Sequence, residues 1–499
     1  MLRREGYSAA IAKFNGPDDT GAVIARAIAE KPRLIGLSVI FQFSAGDFLG
    51  LARQLRDAGS DAKIVIGGHF PSFEYEPLLL HHPAIDIVVR FEGEQTILDL
   101  LRALDSPATW SQIPGLAFRQ DGSVHATPPC PLVADLDALP FPVRDGEIKR
   151  HRGVGDAALL GSRGCYHRCS FCSIGAFYHQ PNGRPQRMRS VRNVVDEMEL
   201  LQREYGVGLF IFNDDEFFDL ADPRRPLAFA DELESRGLKG KMFIKCRASD
   251  VDEPVFSRLK EVGLIRAYVG IETGAQPALE VFNKRLTVEQ NRRAVTTLKK
   301  LDILADFKLL LFNPYTTLMD IEDNLRFIDD LAADGCVPIT VARMEVYSGT
   351  PIMERLRAEG RLRGDYVAWD YEIEDPAAEL VFRQMLAAMY RRNYDLEGLS
   401  KTAIQAYYDL LIYKHFYPKK YEPGIEDALR RIVAKLNRHT VGVIRRLLAY
   451  ARTEDLCDVA RVNKLTIELA LETNRVDMEL GERLRRWRLR LNRLVENAR

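Results

Sequence analysis

Three cysteines fall within eight residues, in the segment Gly161-Ser162-Arg163-Gly164-Cys165-Tyr166-His167-Arg168-Cys169-Ser170-Phe171-Cys172. The spacing is C-x3-C-x2-C. Three thiolates on one short loop can hold three corners of a 4Fe–4S cubane, which leaves the fourth iron open to a ligand that is not protein. Electron-transfer ferredoxins close all four corners with cysteine. Here the other cysteines, Cys130, Cys246, Cys336 and Cys457, are scattered along the chain. Three other readings stand beside the cubane. They are a zinc site that adds His167, a thiol-redox motif, and a chance cluster of buried cysteines.

The elements that must position this loop are alternating strands and helices. In the first 130 residues, Leu34-Ile35-Gly36-Leu37-Ser38-Val39-Ile40, Lys63-Ile64-Val65-Ile66 and Ile85-Asp86-Ile87-Val88-Val89 read as apolar strands. Helical periodicity covers 45–58 and 94–104. Such a βαβ pattern predicts a parallel sheet. A domain of this kind should open on a strand, yet residues 1–33 offer only helix-like pieces and a weak Ala9-Ala10-Ile11-Ala12. The expectation is a Rossmann-like sheet that lacks its first strand. Prolines at 128, 129, 131, 140 and 142 mark a linker over 131–156.

From 157 the alternation lengthens. Strands are expected at 157–161, 209–213, 242–246, 267–271, 305–312 and 338–346, with helices at 190–205, 224–236, 253–262, 288–301 and 320–333. Six βα units predict a parallel barrel or part-barrel over 157–375, with its site at the strand C-termini. Residues 376–499 read as helical. The last helix carries Leu480, Leu484, Trp487, Leu491 and Leu494 on one stripe and six arginines on the other face. An amphipathic helix packing on the barrel with a solvated basic face is favoured over one that binds nucleic acid or an anionic surface. The fold class is therefore α/β, in three parts: 1–130, 157–375 and a helical 376–499.

Composition narrows the function classes. The 499 residues are 46% hydrophobic and 28% charged, as in ordinary globular chains. Lys and Arg number 70 against 71 Asp and Glu, so no global charge draws the chain to nucleic acid. No run approaches the length of a membrane span, and residues 1–5 lack the apolar core of a signal peptide. Seven cysteines fit a reduced, cytoplasmic setting.

C-x3-C-x2-C with Phe171 before its last cysteine, placed after the first strand of a βα barrel, resembles the signature of the radical S-adenosylmethionine (radical SAM) enzymes. The resemblance implies a partial (βα)6 barrel and a 4Fe–4S cluster on Cys165, Cys169 and Cys172. It implies SAM chelated at the open iron, reductive cleavage to a 5′-deoxyadenosyl radical, and hydrogen abstraction from a substrate. Phe171 is carried over as a cofactor-binding residue. Asp214 and Asp215, in Phe212-Asn213-Asp214-Asp215-Glu216, resemble the aspartate pair near the SAM amino group. Arg247 resembles the arginine that pairs with the SAM carboxylate. Gly270-Ile271-Glu272-Thr273-Gly274 resembles the G-I-E-S/T-G segment, with Glu272 toward the ribose or ammonium and Gly270 and Gly274 allowing close backbone approach.

Residues 34–142 resemble the cobalamin-binding domain that precedes the barrel in one radical SAM subgroup. The matching pieces are Leu34 to Ser38, Val65-Ile66-Gly67-Gly68-His69-Phe70-Pro71, Asp86 to Glu94, and Asp135 to Pro140. Ser38, Gly67 and Gly68 would line the cobalamin nucleotide tail, and His69 is a candidate ligand. No D-x-H-x-x-G motif is present. Some members with this architecture, among them aminoglycoside diol dehydratases, work without cobalamin.

On the residues alone, Lys308, Arg343 and Glu345 are candidates to touch substrate, because a charge on a barrel strand is costly unless it is paired or faces a cavity. An internal ion pair is the alternative. The expected function is radical SAM chemistry on a small biosynthetic substrate: C-methylation if cobalamin binds, dehydration, deoxygenation or rearrangement if it does not. Electrons would come from a flavodoxin- or ferredoxin-like donor. The rivals are an RNA- or protein-modifying radical SAM enzyme, which should carry a strong basic surface, and a zinc-stabilised binding protein.

Overall fold

The structure, a computed structural model, describes residues 1–146, 148–395, 397–453 and 458–496. Cys457 lies outside the described residues. The chain divides into two compact units, each assembled from separate stretches. The first comprises Met1–Phe141, Arg163–Met188 and Glu345–Tyr371; the second comprises Pro142–Ser162, Arg189–Met344 and Glu372–Arg499.

The first unit is built on a five-stranded sheet. Leu34–Ser38, Lys63–Gly67 and Ile87–Val89 run parallel, and Leu116–Gln120 and Ser123–Ala126 continue antiparallel. The apolar runs of the two inner strands are buried on both faces, with Ile64, Ile66, Val88 and Ile87 inaccessible, whereas Leu34–Ser38 is largely uncovered. Residues 7–14 form no strand, the first helix is Thr20–Glu30, and Leu34–Ser38 is an edge of the sheet. The short helix Ser173–His179, directly after Cys172, belongs to this unit. So does the hairpin Arg363–Asp365 with Ala368–Asp370.

The second unit holds the barrel strands. Val154–Leu159, Val207–Phe212, Lys241–Arg247, Leu264–Gly270 and Leu304–Asp306 pair in parallel and in that order. The helices between them are Val191–Tyr205, Arg225–Ser235, Glu253–Glu261 and Val288–Lys300, within a residue or two of the expected spans. The expected strand 305–312 is broken at Phe307-Lys308. Leu304–Asp306 stays with Leu264–Gly270, whereas Leu309–Phe312 pairs with Val341–Arg343. The break is a change of partner. Glu272 bridges to Leu309, so the continuation is passed on to a new ladder.

Four helices follow: Pro376–Tyr394, Leu399–Phe416, Pro423–Thr453 and Val459–Glu496. Leu480, Leu484, Trp487, Leu491 and Val495 are buried with Tyr407, Leu410, Tyr413 and Leu436, while Leu494 is only partly covered. In the aromatic-rich stretch 406–417, Tyr407 and Tyr413 are core, while Tyr408, Phe416 and Tyr417 are half-buried. Arg485, Arg486 and Arg490 are exposed on the opposite face. No helix among the described residues is long and apolar enough to cross a membrane.

Candidate active site

The cysteine loop lies in the first unit. Cys169 is buried, and Cys165 and Cys172 are half-buried. Gly164, with φ 77°, turns the chain into the loop; a Cβ there would stand 2.1 Å from the Pro185 carbonyl oxygen, so only glycine fits. The His167 N–H points at Cys165 Sγ at 3.5 Å, and the Cys172 N–H donates to the Cys169 carbonyl. Among the described residues, no three His, Cys, Asp or Glu side chains converge on the position of a single metal ion. A cubane does not ask for that, because each cysteine binds a different iron. Three thiols on one loop, one receiving a backbone N–H, fit such a cluster. Phe171 is half-buried on the same loop.

The strand ends of the second unit collect charge. Asp214 is fully buried; its carboxylate accepts from the Ser162 hydroxyl at 2.6 Å and the Gly161 N–H at 3.2 Å. Burial pushes its pKa up to about 6, against those two donors, and Asp215 adds repulsion. Asp214 thus braces the segment before the cluster loop, and Asp215 is the half-buried member of the pair. Arg247 is buried and donates to the Lys284 carbonyl oxygen. Glu272 has φ 63°, a left-handed conformation that costs a non-glycine residue energy and clusters at functional sites. Lys284, also buried, reaches Glu272 Oε1 at 2.8 Å. A Cβ on Gly270 would meet Lys284 Nζ at 2.8 Å, so this glycine leaves room for the ion pair. Gly274 does something else: its Cβ would strike Phe327 Cβ at 2.3 Å, so it serves helix packing.

Two residues of this charge cluster carried no role in the sequence reading. Glu216 is fully buried, and burial, then Asp250, push its carboxyl well above the usual range. Lys284 is the other. The third consecutive acid after Asp214-Asp215 was the available signal for Glu216; nothing local marks Lys284. Cys246 is buried beside Glu216 and Asp250, and its thiol is held well above its ordinary pKa by burial first.

The substrate candidates are divided between the two units. Lys308 sits in the strand break with its side chain exposed, so it is not an inward residue of a continuous strand. Arg343, in the second unit, lies 4.7 Å from the Phe382 ring centroid. Glu345, in the first unit, is exposed and accepts from the Tyr347 hydroxyl at 2.5 Å. Burial, then Glu345 and the charge of Cys172, hold the Tyr347 phenol well above its usual pKa, which places Tyr347 near the cysteine loop. Tyr347 is held firmly. Thr350 Oγ1 donates to its carbonyl oxygen at 2.6 Å, and the Ser348 N–H donates to Gln42 Oε1 at 3.1 Å. The Ile352 N–H donates to the Ser170 carbonyl on the cysteine loop.

In the five-stranded sheet, Ser38 and Gly67 are paired at the carboxyl ends of neighbouring parallel strands, where open α/β sheets take ligands. Gly68 has φ 116°, and a Cβ there would stand 2.4 Å from the Val39 carbonyl oxygen. Ser38 is exposed, and Phe41 and Phe43, stacked at 5.3 Å, are exposed beside it. This open polar and apolar rim fits a nucleotide-bearing cofactor. His69, the ligand candidate, packs against an aromatic ring. Its ring lies 4.1 Å from the Phe177 ring, and burial lowers its pKa to about 4.

Residues 159–328 match the radical SAM superfamily, and residues 1–101 match the B12 binding domain. The chain thus carries a radical SAM domain with a B12-binding domain N-terminal to it. The anaerobic magnesium-protoporphyrin IX monomethyl ester cyclase of Cereibacter sphaeroides is 31% identical over 59% of this chain and 48% of its own length. An uncharacterized methyltransferase of Pyrococcus horikoshii is 28% identical over 81% of this chain and 84% of its own. The chain thus spans about half of the cyclase and most of the methyltransferase. The structure of the cobalamin-dependent radical SAM enzyme OxsB, with aqua-cobalamin and SAM bound, has a TM-score of 0.69 at 18% identity, covering 95% of this chain and 77% of that one. That likeness concerns the fold. A radical SAM domain implies a 4Fe–4S cluster and SAM, and the B12-binding domain supports cobalamin as a further cofactor.

Proposed function

We propose that this protein is a cobalamin-type radical SAM enzyme that modifies an unactivated carbon of a small-molecule substrate. The observation that carries the reading is the set of three thiols, Cys165, Cys169 and Cys172, on one loop with the spacing of the superfamily. When bound, the cluster, SAM and cobalamin supply reductive SAM cleavage and methyl transfer. The chain supplies placement. Cys165, Cys169 and Cys172 hold three irons. Arg247 presents a guanidinium for the SAM carboxylate, and Glu272 an acceptor for its ammonium or ribose hydroxyls, with Lys284 fixing the Glu272 rotamer. Glu345, backed by the Tyr347 hydroxyl, accepts a hydrogen bond or proton from a substrate hydroxyl or amine. Lys308 and Arg343 remain candidates for acidic substrate groups, and Asp215 for the SAM amino group.

C-methylation is the first reading, supported by the B12-binding match over residues 1–101. Radical ring formation or rearrangement is the second, favoured by the 31% identity to a cyclase. The electron donor is proposed to be flavodoxin- or ferredoxin-like and the setting a reducing cytoplasm. The test is anaerobic reconstitution with iron and sulfide, then incubation with SAM and dithionite. Expected results are a cluster per chain, release of 5′-deoxyadenosine or S-adenosylhomocysteine, and a corrinoid retained through desalting. Iron uptake unchanged in the Cys165→Ala/Cys169→Ala/Cys172→Ala variant overturns the cluster assignment.

A further inference from the structure

We propose that the Phe91-Glu92-Gly93-Glu94 corner of the B12-type sheet is the buckle that closes the cysteine loop, with Glu92 a positioning residue for the cluster. The inference rests on the reading of Cys165, Cys169 and Cys172 as ligands. All of its contacts lie inside the first unit. Arg163 stands two residues before Cys165 and Arg187 at the far end of the same loop. Glu92, 7% exposed, receives both. Arg187 donates through its two terminal nitrogens to the two carboxylate oxygens at 2.8 Å each, the bidentate arrangement that adds geometric specificity to charge. Arg163 adds a third bond at 3.1 Å, and the Val133 N–H a fourth at 2.8 Å. The second terminal nitrogen of Arg163 reaches Glu94 Oε1 at 2.5 Å.

The corner also grips the loop between its ends. The Phe91 ring lies 5.3 Å from that of Phe177, on the helix that starts right after Cys172. Phe91 adopts φ 63°, a conformation a bulky residue takes only where its surroundings enforce it. Gly93 leaves room that a Cβ would take 3.0 Å from Val89 Cγ1. One corner therefore touches the loop before the first cysteine, after the last, and at its exit. Opening the loop would strand a buried carboxylate from its arginines, and an unpaired buried charge is strongly disfavoured. The loop stays closed whether or not iron is present, so the cluster meets preset cysteines.

The test compares reconstituted holoprotein with Glu92→Gln, Glu94→Gln and Asp86→Asn. The last removes the partner of Arg56, an ion pair of the same unit away from the loop. Readouts are iron release to a chelator, the electron paramagnetic resonance signal of the reduced cluster, and circular dichroism for folding. Expected is iron release about tenfold faster in Glu92→Gln, a smaller gain in Glu94→Gln, altered g-values in both, and wild-type behaviour in Asp86→Asn. Wild-type release from folded Glu92→Gln overturns the buckle, as does equal acceleration in Asp86→Asn. If Glu92→Gln does not fold, Glu94→Gln decides by the same criteria. Wild-type protein that takes up no iron overturns the ligand assignment itself; loaded wild type with unaffected variants overturns only the buckle.

Discussion

Asp409→Asn is the substitution whose consequence the structure specifies most completely. Asp409 lies on the helix Leu399–Phe416 with its side chain 3% exposed. It accepts from Arg152 NH2 at 2.9 Å and His151 Nε2 at 2.5 Å, and Arg488 Nε stands 3.4 Å away. His151 and Arg152 form the turn into Val154–Leu159, the strand that leads to the cysteine loop. At 2.9 Å and an effective dielectric constant of about 20, one such pair is worth about 6 kcal/mol of gross attraction. Desolvation cancels much of that, but removing one partner leaves buried cations uncompensated and typically costs about 3–5 kcal/mol. Arg488 is 30% exposed and can turn to water, so the lower end, about 3 kcal/mol, is expected. Burial raises the Asp409 pKa, yet the hydrogen bonds and charges of His151 and Arg152 outweigh it and hold it below the usual value. A depressed folded pKa gives stability that is complete above the ordinary carboxylate range and is lost as pH falls through the folded value. The difference between wild type and Asp409→Asn should therefore persist from pH 7 to 5 and shrink below about pH 4. Trp487, buried against Ile425, reports on these helices, so denaturant unfolding followed by tryptophan fluorescence in a Trp110→Phe/Trp369→Phe background measures the difference. A loss under 1 kcal/mol at pH 7, or a difference that does not shrink below about pH 4, refutes the argument.

Lys284→Met should cost about 3 kcal/mol by stranding Glu272, and Lys284→Met/Glu272→Gln should recover most of it, because deleting both partners of a buried pair is far cheaper than deleting one; denaturant midpoints of the three proteins decide. Gly164→Ala should abolish iron retention while leaving the circular dichroism of the helices near wild type, since its Cβ collides with backbone at 2.1 Å only within the loop. Gly270→Ala meets the movable end of Lys284, so the fold should persist and SAM affinity, measured by calorimetry on reconstituted protein, should fall about tenfold or more. Glu345→Gln should leave cluster content and substrate-free SAM cleavage unchanged; a changed iron count would remove Glu345 from the substrate side.

What could be read in the sequence follows the range over which each feature is encoded. The barrel strands announce themselves locally: Leu209 to Phe212 is apolar because both of its faces are covered, and any window of that length shows it. The cysteine loop is legible for the same reason, with its three ligands inside eight residues. The break at Phe307-Lys308 is not local. It depends on which strand Leu309 meets, and Lys308 is exposed only because the pairing changes there. Asp214 and Asp215 look alike in sequence, yet Ser162 and Gly161, more than fifty residues earlier, occupy one of them. Glu216, Arg247, Glu272 and Lys284 are set on three different strand ends and the segment beyond. Their common environment exists only once the parallel register places those ends side by side. Glu92 belongs with them: as a residue of the F-E-G-E stretch it is recognisable, but the two arginines that give it a task come from 71 and 95 residues later. Burial turns each of these charges into a commitment, because a buried carboxylate without its cation is too costly to keep. The positioning of the cluster and cofactor residues is therefore written in long-range ion pairs, and those are what a test of this site should break first.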